Sequence, residues 1–146
     1  MGKALAVSPL APASFPTLPV INGVSFATAA AGVKYKDRTD VMLALLAPGS
    51  TVAGVFTRSA TRSAPVLDCQ AKLGGDAAPG AAILVNSGNS NAFTGARGVA
   101  SVQAITAAVA QATGVPQGRV FTSSTGVIGE PLPHERIIAT LQTLAS

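Results

Sequence analysis

The sequence predicts one layered domain of α/β or α+β class. Three observations predict it: short apolar runs end at turn residues, later segments place apolar side chains at helical spacing, and the two patterns alternate along the chain. Of the 146 residues, 48% are hydrophobic and only 11% are charged. A chain of this size buries roughly two thirds of its surface without a disulfide or a metal. We therefore expect a single domain over residues 19–146, after an N-terminal arm over residues 1–18.

The first half of the chain predicts strands and then a helix or a crossover. Residues 20–30 alternate apolar and small side chains around an Asn22-Gly23 turn, which is typical of short strands. Residues 40–47 form an apolar run with the length of a buried strand. Residues 51–57 follow it at turn distance, so we expect these two segments to pair antiparallel. Residues 64–67 begin either a helix or a crossover.

The second half predicts a strand, a helix, a strand and a last helix. Residues 82–85 have the pattern of a central strand. From Gly98 the apolar residues recur every three or four positions, which predicts a helix that ends near Gly114. Residues 119–123 predict another short strand. The final helix begins after Pro131 or Pro133 and carries its apolar residues on one face: Ile137, Ile138, Leu141 and Leu144.

The charge distribution argues against nucleic-acid and membrane binding. The net charge is +4, but the basic residues are scattered, and aromatic residues make up 4% with no Trp. Phosphate-backbone binding needs a concentrated basic face, and single strands also need aromatic side chains on which to stack. No run approaches the roughly 20 apolar residues of a membrane-spanning helix. We expect neither nucleic acid nor a membrane as a partner.

Single Cys and His residues argue against metal and thiol chemistry. Cys69 cannot form an internal disulfide, which points to a reducing compartment and favours the cytoplasm. We expect it to be a small buried hydrophobe, because no His lies near it in the sequence. His134 is too isolated for a His-based metal site. The sequence therefore predicts no metal and no bound cofactor.

Residues 85–95 form the first of two unusually polar segments. A predicted strand runs into three Asn, two Ser and one Thr, and a helix begins shortly afterwards. One interpretation is a polar loop that places amides around a substrate. The alternative is a hydrogen-bonded turn with a helix cap, since Asn, Ser and Thr favour both.

The second polar segment, residues 123–129, also follows a predicted strand. A backbone N–H beside a hydroxyl at a strand end is able to stabilise a developing oxyanion. The absence of Gly-Lys-Ser/Thr excludes a Walker loop. A plain turn is the alternative. Neither a Ser-His-Asp nor a Cys-His set emerges, so the chain offers no persuasive nucleophile and base of its own.

Four blocks in order resemble the ornithine acetyltransferase / glutamate N-acetyltransferase family of arginine biosynthesis. Residues 32–34 (Gly-Val-Lys) and 53–57 (Ala-Gly-Val-Phe-Thr) resemble two family blocks. Residues 86–95 resemble its Asn-Ser-Gly-Asn-Ala-Asn-Ala-Cys-Thr-Gly signature, and residues 124–133 (Ser-Thr-Gly-Val-Ile-Gly-Glu-Pro-Leu-Pro) match another signature nearly letter for letter. The chain thus resembles the N-terminal α-chain portion of this family.

The resemblance implies both a fold and a reaction. It implies an αββα sandwich similar to that of N-terminal-nucleophile enzymes, and a precursor that cleaves itself before a threonine. That threonine, at the N-terminus of a β chain, takes acetyl from N2-acetylornithine and passes it to glutamate, and some members also accept acetyl-CoA. The Thr-Gly pair of the last block forms the family's oxyanion hole, which implies that role for Thr125 and Gly126. An α2β2 assembly is implied as well.

Departures from the family pattern leave alternatives open. Phe93 stands at the family's cysteine and Ser90 at its middle alanine. The family's Lys-Gly-Ser-Gly block and its Ala-Thr cleavage junction are absent before Ser146. We therefore expect the chain alone to be inactive. A non-catalytic remnant, serving as an assembly or small-molecule-binding module, and a self-processing amidase or aminopeptidase are the alternative functions.

Overall fold

Four strands form one mixed sheet within residues 7–146, which are the residues that the computed structural model describes. They are β1 (Val24–Ala29), β2 (Val41–Leu46), β3 (Ala81–Asn86) and β4 (Val120–Ser124), in the order β1-β2-β3-β4. Strand β2 pairs antiparallel with both β1 and β3, whereas β3 and β4 pair parallel. The parallel pair matters for function, because the C-terminal ends of β3 and β4 lie side by side.

Helices cover one face of the sheet and one edge. They are α1 (Ala64–Lys72), α2 (Gly95–Thr113), α3 (His134–Ile138) and α4 (Leu141–Leu144). The main core lies where α2, α3 and α4 meet one sheet face, with Leu43, Leu84, Ile105, Val109 and Ile137 all at most 2% exposed. Helix α1 lies along the edge of β4, where Cys69 Sγ and Lys72 Nζ donate to β4 carbonyls at 3.3 and 3.0 Å. The mixed α/β class is confirmed.

The other face of the sheet carries a smaller cluster and an exposed apolar area. Residues 51–57 have no regular secondary structure, and Val52 and Phe56 pack over Ile83 and Phe121. Toward β1 this cover stops, and Phe26 is 65% exposed. The described residues therefore leave the Phe26 side chain on this face in contact with solvent.

Most predicted elements are confirmed, and two predictions are wrong. The strands at residues 40–47, 82–85 and 119–123 and the helix that ends near Gly114 are all present. Residues 51–57 do not pair with β2, because β1 and β3 already occupy both of its edges.

The single final helix is instead two short ones, broken at Ala139 and Thr140. At the break the Thr140 N–H donates to the Ile137 carbonyl, three residues earlier, at 3.0 Å, so the regular bonding of an α-helix is interrupted there.

The N-terminal arm is only partly described. Residues 1–6 of the predicted arm lie outside the described residues. Residues 7–22 are exposed and belong to no helix or strand. The division into an arm and one domain stays a prediction.

A buried carboxylate fixes the turn between β1 and β2. Asp40 is 8% exposed, and its two oxygens accept the backbone N–H groups of Ala31 and Val33 at 2.7 and 2.6 Å. Its own carbonyl accepts the Ser87 N–H at 2.9 Å. Asp40 therefore ties the segment before β2 to the segment that follows β3.

We expect Asp40→Asn to destabilise the fold by about 2 kcal/mol or more, because an amide nitrogen would face a backbone donor and a charge-assisted bond would be lost. Urea unfolding of the purified chain measures the effect. Asp37→Asn is the matched control, since Asp37 is exposed and asparagine tolerates its positive φ of 57°. Equal stability of the two variants would contradict the role given to Asp40.

Candidate active site

The two polar segments meet at the C-terminal ends of β3 and β4. We call residues 86–95 the asparagine loop and residues 124–131 the Thr-Gly loop. Alternate backbone amides of the Thr-Gly loop donate to carbonyls of the asparagine loop: Thr125 to Asn86 at 3.1 Å, Val127 to Gly88 at 3.2 Å and Gly129 to Ala92 at 2.9 Å. In return, Ser90 donates to the Val127 carbonyl from both its N–H and its hydroxyl. The loops therefore extend the parallel strand pair beyond the sheet.

This pairing leaves the Gly126 amide free. Thr125 and Val127 turn their N–H groups toward the asparagine loop, and the Gly126 N–H between them has no acceptor among the described residues. Thr125 and Gly126 are both exposed. A hydroxyl and an unpaired N–H thus stand next to each other at the surface, which is the donor set an oxyanion requires.

Only glycine fits at position 126. Its φ is +131°, in a region that side-chain-bearing residues rarely adopt. A Cβ at this position would press on the Gly88 carbonyl carbon and lie 2.6 Å from the Asn89 nitrogen. The close approach of the two loops therefore depends on the absence of a side chain.

The three asparagines are buried and do not surround an open site. Asn86, Asn89 and Asn91 are 1%, 2% and 0% exposed. Asn86 accepts the Ser124 hydroxyl at 2.6 Å and donates to the Asn89 carbonyl. Asn91 donates to the Gly98 carbonyl and accepts the Thr94 hydroxyl. The substrate-lining interpretation is wrong for these side chains, and the hydrogen-bonded turn is right.

The other two blocks singled out by the sequence lie beside these loops. Residues 32–34 lie behind the asparagine loop, since a Cβ on Gly88 would be 2.9 Å from Lys34 Cβ. The Lys34 ammonium pairs with the Glu130 carboxylate of the Thr-Gly loop at 2.8 Å. Residues 53–56 line a cavity of about 350 Å³ that continues to Ser123 and Ser124, directly before Thr125. Three of the four blocks therefore meet at one end of the sheet, and residues 53–56 line the sheet face that leads to it.

Cys69 lines the same cavity but is not a nucleophile there. It is 7% exposed, and burial raises the pKa of its thiol above the ordinary value. The sulfur donates to the Thr122 carbonyl. A buried neutral thiol is unreactive, so the prediction of a small buried hydrophobe is confirmed.

A serine, a histidine and a glutamate form a row that the sequence did not predict. Ser101 Oγ lies 3.0 Å from His134 Nδ1, and His134 Nε2 lies 3.5 Å from Glu135. Ser101 is only 4% exposed and its hydroxyl also bonds to the Arg97 carbonyl one turn earlier in α2. Because no substrate could reach the hydroxyl, the row links α2 to α3 and is not a catalytic triad.

Residues 7–146 contain neither a metal-binding cluster nor a membrane-spanning helix. No group of three or more His, Cys, Asp or Glu side chains in this range is arranged to hold a metal ion. No helix in the same range is long and apolar enough to cross a membrane.

Comparison with known proteins gives a consistent set of relatives. The sequence profile of the ArgJ family matches residues 25–146. The "Arginine biosynthesis bifunctional protein ArgJ" of Ruegeria pomeroyi is 72% identical over 144 residues, covering 99% of this chain and 35% of that protein. The protein of the same name in Nitrobacter winogradskyi is 54% identical, covering 97% of this chain and 34% of that protein. The chain thus spans about one third of the length of the curated relatives it matches.

Two solved structures are similar in fold. An ornithine acetyltransferase complexed with ornithine from Mycobacterium tuberculosis is 34% identical with a TM-score of 0.78, covering 85% of this chain and 66% of that one. The arginine biosynthesis bifunctional protein argJ of Bacillus halodurans is 31% identical with a TM-score of 0.76, covering 86% and 66%.

Proposed function

The chain belongs to the ArgJ family, and we propose that it supplies the oxyanion-binding part of an acetyltransferase. The proposed reaction moves acetyl from N2-acetylornithine to glutamate, and acetyl-CoA is proposed as a second donor. The names of the relatives support the pathway, and the ornithine-bound structure of one relative supports the substrate class. The observation that carries the proposal is the free Gly126 N–H beside the exposed Thr125 hydroxyl.

The proposed chemistry divides the work between two chains. The hydroxyl of an N-terminal threonine on a β chain attacks the acetyl carbonyl, whose oxygen becomes negatively charged as the tetrahedral intermediate forms. Thr125 and Gly126 donate hydrogen bonds to that oxygen. The C–N bond to ornithine then breaks, the threonine hydroxyl proton passes to the departing ornithine amine, and an acetyl-threonine remains. The glutamate amine attacks this ester through a second intermediate of the same kind, the C–O bond breaks, and the amine proton returns to the threonine as N-acetylglutamate leaves. The same two donors would serve both half-reactions, because each one develops charge on the same oxygen.

The uncovered sheet face supports a partner of the proposed kind. Phe26 of β1 is 65% exposed on the side of the sheet away from α2, and Val55, in the irregular segment that covers another part of that side, is 99% exposed. A second sheet packed about 10 Å away would bury these side chains, as the αββα sandwich requires. We expect the β chain to supply that sheet within an α2β2 assembly.

Reconstitution tests the proposal. The chain is combined with the remaining part, about two thirds, of the Ruegeria pomeroyi relative, and release of ornithine from N2-acetylornithine is measured with and without glutamate. We expect glutamate-dependent release and formation of N-acetylglutamate. The chain alone is expected to show none, because its described residues offer no accessible nucleophile with an adjacent base.

Two results would redirect the assignment. Assembly without acetyl transfer would contradict the proposed function and favour a non-catalytic module. Hydrolysis of amide or peptide substrates in place of acetyl transfer would favour the self-processing amidase, which needs the same oxyanion geometry.

A further inference from the structure

We infer that Asn89 is a positioning residue that holds the Gly126 N–H in place for the proposed reaction, so the inference rests on the proposed function. Asn89 is 2% exposed and lies under the Thr-Gly loop. Its Nδ2 donates to two successive carbonyls of that loop, Glu130 at 3.0 Å and Pro131 at 3.3 Å. Its Oδ1 accepts the Asn91 N–H at 2.8 Å. The side chain therefore holds the far end of the Thr-Gly loop.

The main chain of Asn89 holds the near end. Asn89 forms bridges with Thr125 and Val127, the residues on either side of Gly126. The Asn89 nitrogen is 2.6 Å from the position that a Cβ on Gly126 would occupy. One residue thus contacts the loop on both sides of the free N–H, and a shift of Asn89 shifts the direction in which that N–H points.

The hydrogen-bonding groups around position 89 explain why its side chain is an amide. The two loop carbonyls need a donor, and the Asn91 N–H needs an acceptor. Asparagine supplies both from one short side chain, whereas an ionised aspartate supplies acceptors only. Asn89→Asp keeps the size of the side chain and places negative charge against two carbonyl oxygens, which pushes the end of the Thr-Gly loop away.

Asn91 provides a matched control in the same loop. It is 0% exposed, and its Nδ2 also donates to a backbone carbonyl, that of Gly98 at 3.0 Å. Its Oδ1 accepts the Thr94 hydroxyl at 2.8 Å. Both partners of its side chain lie outside the Thr-Gly loop. Asn91→Asp therefore introduces the same buried charge without changing a side-chain contact to the Thr-Gly loop, and it keeps the backbone N–H that donates to Asn89 Oδ1.

The test compares Asn89→Asp and Asn91→Asp in the enzyme reconstituted with the remaining part of the Ruegeria pomeroyi relative. For Asn89→Asp we expect kcat to fall about tenfold or more, with KM for N2-acetylornithine changed less than threefold, because the oxyanion forms only in the transition state. For Asn91→Asp we expect a similar fall in Tm with kcat within threefold of wild type. The amide NMR signal of Gly126 should shift in the first variant and not in the second.

A double variant separates positioning from general damage. If Asn89 acts through the oxyanion site, adding Asn89→Asp to Thr125→Ala should cost less than it does in the wild type, because coupled residues are not additive. Additive effects, or equal losses of kcat in the two aspartate variants, would overturn the inference.

The experiment distinguishes failure of the Asn89 inference from misfolding of the variant and from failure of the proposed function. If Asn89→Asp does not assemble, Asn89→Ser removes the amide without a charge and is judged by the same kcat criterion. If the wild-type enzyme transfers no acetyl, the proposed function fails. The shift of the Gly126 signal then decides the positioning role alone, and an unchanged signal in Asn89→Asp overturns it.

Discussion

Gly126→Ala is expected to lower acetyl transfer at least about 10²-fold, the size of effect that follows loss of one oxyanion-hole donor. The substitution leaves the N–H in place, so its effect comes from geometry. A Cβ would press on the Gly88 carbonyl carbon and the Asn89 nitrogen, and both loops would have to separate. The φ of +131° adds strain of about 1–3 kcal/mol for any residue other than glycine. Gly126→Val should lower the acetyl-transfer rate further. Both variants are tested by measuring kcat and Tm of the reconstituted enzyme.

Gly114 is the control for this prediction. It ends α2 with a φ of +76°, and a Cβ there would meet no atom within 4 Å. Gly114→Ala should therefore lower Tm through backbone strain and leave kcat within about threefold of wild type. If activity simply follows Tm at both positions, Gly126 only forms a turn and the oxyanion assignment is wrong.

The fold was predictable where burial imposes a clear pattern. The run at residues 40–47 becomes β2 because both of its edges are paired and the side chains of Val41, Leu43 and Ala44 are buried, which an apolar strand tolerates. The apolar stripe of α2 was readable for the same reason, since Val102, Ile105 and Val109 are at most 2% exposed. Such patterns depend only on which side chains are buried in the core. They can be recognised without knowing which strands or helices lie next to each other.

Residues 51–57 show where such patterns fail. Their apolar side chains suit a strand, yet Val55 is 99% exposed and Phe56 covers the small cluster around Phe121. Sequence periodicity does not indicate whether the edge of a neighbouring strand is free to pair. Both edges of β2 are already paired, with β1 and β3. The break in the final helix is a local change of backbone bonding at Thr140, which a stripe of apolar residues does not show.

The site was predictable in part. A hydroxyl and a glycine N–H at a strand end suggested Thr125 and Gly126 as donors, and the resemblance to the acetyltransferase family added the same pair. No local pattern in the sequence indicated that the asparagine loop would lie against this segment. The contact requires β3 and β4 to be parallel neighbours, which is a property of the whole sheet. For that reason the asparagines could be interpreted as substrate ligands, although their amides donate to backbone carbonyls, and of these three bonds only the one from Asn89 joins the two loops.

Thr125→Ala is expected to lower kcat for acetyl transfer about 10²- to 10³-fold with little change in Tm. The hydroxyl is exposed and has no hydrogen-bond partner among the described residues, so its removal breaks no contact in the folded chain. The backbone N–H of Thr125, which donates to the Asn86 carbonyl at 3.1 Å, is retained by alanine. Thr125→Ala should therefore lower kcat with little change in Tm, whereas the backbone strain at Gly126 should lower Tm as well. Steady-state kinetics of the reconstituted enzyme, with thermal unfolding of the same preparation, measures both.

The matched variant is Thr125→Ser, which keeps the hydroxyl and removes only a methyl group. It should retain kcat within about threefold, whereas alanine should not, because only the donor contributes to binding the developing charge. KM for N2-acetylornithine should stay close to the wild-type value in both variants, since the oxyanion is absent from the ground state. Equal activity of the serine and alanine variants, or a loss confined to KM, would show that the Thr125 hydroxyl does not stabilise the oxyanion and would leave the Gly126 N–H as its sole donor in this chain.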